Sequence, residues 1–146
     1  MKRSTILKIA FLALPLAVVA IAIRPGSVTV IQGTEVRYTN FMEAVVGSSV
    51  GWCAPVALIL TYVIFGMAVF YLLTKKEVLL KLVRSAAFVG TCLLGCPVLV
   101  PGEMKVVPNV FAAILMLALW VLSRFMVADQ KKAQEVAPKG RRLSGK

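Results

Sequence analysis

The chain is 146 residues long, 60% apolar and 16% charged, and carries 17 Lys and Arg against six Asp and Glu, a net charge of +11. A soluble domain is roughly 45–50% apolar and about 25% charged, so composition excludes that class and points to a membrane protein. With no histidine and only those six carboxylates, general acid–base catalysis and zinc binding have few residues to draw on.

The first apolar segment, Ile9 to Ile23, has 15 residues without a charge and reaches 18 when counted from Ile6 across Lys8. A helix rises about 1.5 Å per residue, so about 20 residues cross a 30 Å hydrocarbon core. Lys2, Arg3 and Lys8 with Ala20-Ile21-Ala22 also resemble a signal peptide and its cleavage site. An uncleaved helix over residues 6–23 is the preferred reading, because the stretch is longer than a usual signal core and Pro25 follows closely. Pro15 at its centre favours a kink.

Residues 24–51 form an outer loop. Within it Val28, Val30, Val36 and Tyr38 alternate with polar residues on either side of Gln32-Gly33, which predicts either a short β-hairpin or a plain ordered loop. Gly47-Ser48-Ser49-Val50-Gly51 spells the nucleophile elbow of serine hydrolases, but that motif needs a histidine base and a strand-turn-helix setting. Its spacing also fits the GxxxG rule for close helix contact, which assigns Gly47 and Gly51 to packing.

Ala44 to Thr74 is a charge-free run of 31 residues, about 46 Å as a helix and too long for one upright span. Trp52 and Tyr71 lie about 28 Å apart along a helix, which suggests that they mark the two interfacial aromatic belts. The second span is therefore placed at 52–73, with Ala44 to Gly51 as an interfacial or partly re-entrant segment. Lys75 to Arg84 reads as a short basic loop in the inner headgroup layer, where Lys75, Lys76, Lys81 and Arg84 meet anionic lipid and Val78, Leu79, Leu82 and Val83 can share one face of a helical turn.

The third span, 83–100, repeats small residues at Ala87, Thr91 and Gly95, a face that lets helices approach closely. Cys92 and Cys96 share one helix face with Cβ atoms about 5–6 Å apart, whereas a disulfide needs about 3.5–4.5 Å. Cys53, at the outer start of the second span, is the easier partner for Cys96. The three cysteines otherwise serve as small packing residues. The fourth span is placed at 108–127, inside a segment from Val106 to Ala128 whose only charge is Arg124. Arg124 reaches the inner headgroups by snorkelling. The basic tail, 129–146, is expected to fray into disorder.

Fourteen Lys and Arg fall in the N-terminus, the middle loop and the C-terminal end, against Arg24, Arg37 and Lys105 in the other two loops. The positive-inside rule then predicts an all-α membrane protein with four transmembrane helices and both termini in the cytoplasm. Residues 1–128 make up the transmembrane domain. The expected partners are an anionic inner leaflet and a second copy or another membrane protein, with no nucleic acid and no cofactor. The expected role is non-enzymatic, as an interaction, scaffold or accessory subunit in the cell membrane. One alternative is an oligomeric channel or transport component lined by Thr61, Tyr62, Ser85, Thr91 and Asn109. Another is a thiol oxidoreductase using Cys92 and Cys96. Glu35, Glu43 and Glu103 read as scattered outer carboxylates rather than a cation site.

Overall fold

A computed structural model describes residues 3–26, 28–32, 35–42, 52–99, 104–105 and 107–136, with side chains described for 5–26, 38, 40–42, 52–96 and 110–130. Ala44 to Gly51, including Gly47 and Gly51, and the tail beyond residue 136 lie outside the described residues. The helices are α1, Arg3–Ile23, α2, Cys53–Thr74, α3, Glu77–Leu99, and α4, Val107–Val136. All four contain stretches long and apolar enough to cross a membrane: Thr5–Ile23, Cys53–Thr74, Glu77–Cys96 and Val110–Gln130. The first run, marginal by charge-free length, thus becomes a full-length span.

Each helix packs against its two neighbours in the cyclic order α1, α2, α3, α4 and back to α1. The inward positions recur in alternating steps of three and four: Phe11, Pro15, Val18 and Ala22 on α1, and Ala57, Thr61, Ile64, Ala68 and Tyr71 on α2. Leu80, Val83, Ala87, Gly90 and Leu94 follow on α3, and Ala112, Met116, Leu119, Ser123 and Met126 on α4. That is the seam spacing of left-handed helix packing. Helix α1 stays continuous through Pro15, which is buried on the bundle side, where neighbouring helices shield the carbonyl that proline leaves without a partner.

Three short strands cap one end of the bundle. Strand β1, Val28–Gln32, pairs antiparallel with β2, Glu35–Thr39, in the register Val28 to Thr39 and Gln32 to Glu35. Strand β3, Met104–Lys105, comes from the α3–α4 connection and pairs with Thr29 and Val30 on the other edge of β1. The sheet order is β2-β1-β3, so the two longer connections meet at one end of the molecule. Asn40 accepts the Met42 amide at 2.9 Å, and the Phe41 amide donates to the Ala22 carbonyl at 3.2 Å. The fully buried Phe41 ring thereby pegs the sheet to the last turn of α1.

The basic middle segment differs from expectation. The break between α2 and α3 is only Lys75 and Lys76, and α3 begins at Glu77 rather than near residue 83. Two local devices account for this. Lys75 takes a left-handed conformation (φ 55°) and its amide caps the Tyr71 carbonyl at 2.7 Å, which turns the chain at once. Glu77 then sits in the first turn of α3 and pairs with Lys81 at 2.9 Å, favourable both for the helix dipole and at i,i+4 spacing. At a positive φ a side chain costs what glycine does not. Lys75→Gly is therefore expected to raise stability by about 0.5–1 kcal/mol, measured by thermal unfolding in detergent; a loss would show that the lysine makes a compensating contact.

Candidate functional site: a two-arginine groove and a thiol pair

The five basic residues expected at the inner headgroups separate into two groups. Lys75 and Lys76 are exposed at the helix turn, and Lys81 is exposed and paired with Glu77. Arg84 and Arg124 instead line a groove of about 550 Å³ between α3 and α4, together with Ser85, Phe88, Val89 and Trp120. The guanidinium carbon of Arg124 lies 5.2 Å from the centre of the Trp120 ring, within cation–π range. The Trp120 ring also meets Phe88 at 6.1 Å with a 44° tilt. Arg84 is seven residues into α3 and Arg124 six residues short of Gln130, where the apolar span of α4 ends. Among the described residues neither arginine has a carboxylate partner.

At the other end, Cys53 is buried at the start of α2 and Cys96 half-buried on α3, both free thiols. Their thiols are neighbours across α2 and α3. Cys92 is exposed, and α3 is an unbroken helix across both of its cysteines. The fold thus brings together the inter-helix pair and leaves Cys92 outside it.

The small residues take different places. Ala87 is fully buried within the bundle, and Thr91 is half-buried with its hydroxyl donating to the Ala87 carbonyl at 2.9 Å. Gly95 faces open space. The closest small-residue contact on α3 is at Gly90, where an added Cβ would lie 3.5 Å from Met116 and 3.7 Å from Leu60. On α2 the inward small residues are Ala54, Ala57, Thr61 and Ala68. Their spacing was a usable signal, hidden by the equally apolar residues between them. Gly66 lies on the outward face of α2 with nothing within 4 Å, flanked by exposed Tyr62, Val63 and Phe70.

The residues considered as a pore lining do not share a face. Thr61 is buried and donates to the Ala57 carbonyl at 2.7 Å, whereas Tyr62 is 51% exposed. Ser85 opens on the α3–α4 groove, and the Asn109 side chain lies outside the described residues. Ser123, also buried, donates to the Leu119 carbonyl at 2.7 Å. Tyr71, in the last turn of α2, faces the bundle: its ring is buried edge-on to Phe11 and its hydroxyl accepts a 2.8 Å hydrogen bond from Gln130. The second Gln130 amide atom, its oxygen, is buried without a partner. Among the described residues no group of three or more Cys, Asp or Glu is placed to hold a metal ion. Compared with known proteins, the chain matches no family model, no curated protein and no solved structure.

Proposed function

We propose that this is a non-enzymatic, multi-pass protein of the cell membrane that associates with a second copy or another membrane protein through the outward faces of α2 and α3. The supporting observation is the notch at Gly66. Buried hydroxyls at Thr61 and Ser123 are already bonded to carbonyls of their own helices, so the bundle interior offers them to no solute. The outward face of α2, by contrast, has a glycine among Tyr62, Val63 and Phe70, and a missing side chain lets a second helix approach closely. Gly95 supplies a similar open position on α3.

Orientation belongs to the same proposal. Both termini and the Lys75-Lys76 turn face the cytoplasm, because fourteen of the 17 cationic side chains belong to those segments and the helix ends adjoining them and cationic segments are retained on that side. The three-stranded sheet and the Cys53–Cys96 pair are then on the outer side.

Gly66→Leu tests the association cleanly. The position has open space in the monomer, and leucine raises helix propensity by nearly 1 kcal/mol, so the bundle keeps its fold. Chemical cross-linking in native membranes is expected to give a defined adduct with the wild-type chain and to lose most of it with Gly66→Leu. A wild-type chain that purifies from mild detergent as a monodisperse monomer, without any co-purifying protein, would overturn the proposal.

A further inference from the structure

We propose that the α3–α4 groove is a binding site for one anionic phospholipid, its phosphate held between Arg84 and Arg124 and an acyl chain lying along Phe88 and Val89. The inference rests on reading the chain as a membrane protein, but not on its orientation or its self-association. An arginine inside an apolar span is costly unless it reaches water or an anion. Here two converge on one groove whose other lining is apolar apart from Ser85, with no carboxylate partner among the described residues. Guanidinium groups match phosphate oxygens in geometry and charge. The remaining lining is aromatic and aliphatic, so the groove is polar on one side and apolar on the other, as an amphiphile requires.

Charge also selects the headgroup. A zwitterionic lipid carries an ammonium that wants a carboxylate or an open aromatic face. The described lining has no carboxylate, and the Trp120 face already carries Arg124 at 5.2 Å. A lipid with net negative charge leaves no cation to accommodate.

The experiment is native mass spectrometry of the full chain in mild non-ionic detergent, titrated separately with phosphatidylglycerol and phosphatidylcholine. The wild-type chain is expected to retain a single phosphatidylglycerol with at least about tenfold preference over phosphatidylcholine. Arg84→Gln and Arg124→Gln should each weaken that adduct about tenfold or more, whereas the double change Lys75→Gln with Lys76→Gln should leave it unchanged. Equal retention of the two lipids by the wild-type chain overturns the proposal without recourse to any variant. Equal loss in the lysine variant would show diffuse headgroup attraction instead, and displacement of the lipid by millimolar inorganic phosphate would show a soluble-anion site; either result overturns it. Because the measurement needs no second protein and no sidedness, its failure is separate from a failure of the association test.

Discussion

After native membranes are oxidised with diamide, the denatured chain should accept one maleimide tag instead of three, and the one should be on Cys92. The reaction joins Cys53 to Cys96. Each thiol gives up a proton and an electron to the azo bond of the reagent, which becomes a hydrazine. The two thiols are neighbours across α2 and α3, while Cys92 and Cys96 are held apart by an unbroken helix at about 5–6 Å between Cβ atoms. Cys92→Ser should then leave no free thiol after oxidation, and Cys96→Ser should leave two tags with or without it. Two tags on oxidised Cys92→Ser would show that the inter-helix pair does not close. By the chain-entropy relation, a bridge enclosing a loop of this length stabilises by about 4 kcal/mol at most. Much of that loop stays helical in an unfolded membrane chain, so a rise of about 1–3 kcal/mol is expected. It would be measured as resistance to dodecyl sulfate in mixed micelles, with and without reductant.

Phe41→Ala should be the most destabilising single change among the residues at the sheet end of the bundle, at about 3–5 kcal/mol, the usual cost of emptying a fully buried phenylalanine site. Phe41 has no exposed surface, and its amide caps the Ala22 carbonyl, so the ring holds the chain after β2 against the end of α1. Losing it frees the three-stranded sheet before it frees the helices. Hydrogen exchange should accordingly rise first in Val28–Gln32 and Glu35–Thr39, with α2 to α4 changing little. Phe41→Leu, which keeps most of the volume, should cost less than about 1.5 kcal/mol. Met42, the 57% exposed neighbour, is the control, and Met42→Ala should be close to neutral. A Phe41→Ala loss below about 1 kcal/mol would show that pairing between the strands, and not the peg, holds this end together.

Both changes act at contacts that were visible in the sequence to different degrees. Span order alone put Cys53 and Cys96 at the same end of the molecule, because one begins the second span and the other lies near the end of the third, but it did not say which helix faces would meet. The Phe41 peg did not follow, since nothing local to Asn40-Phe41-Met42 says that its ring reaches the bundle. Strand β3 is similar: two residues, Met104 and Lys105, have no strand signal of their own and are ordered by pairing with β1. The onset of α3 was legible in principle. Glu77 and Lys81 are spaced for a helical pair, but the clustered lysines around them also read as a loop.

What the amino-acid sequence determined by itself was the number of apolar spans, their approximate ends and the uneven distribution of cations, because length and charge are properties of a segment and need no neighbour. Which face of each helix points inward was decided only by the tertiary structure. In water a buried face is more apolar than its opposite face, but in a bilayer Val56, Ile59 and Val63 face outward as readily as Leu58 and Ile64 face inward, so hydropathy loses its contrast. Tyr71 shows the consequence most directly. Its position suggested a belt residue, and only the arrival of Phe11 from α1 and Gln130 from α4 makes it part of the core. Arg84 and Arg124 likewise read alone as two snorkelling side chains, and become one groove because antiparallel α3 and α4 bring them to the same depth.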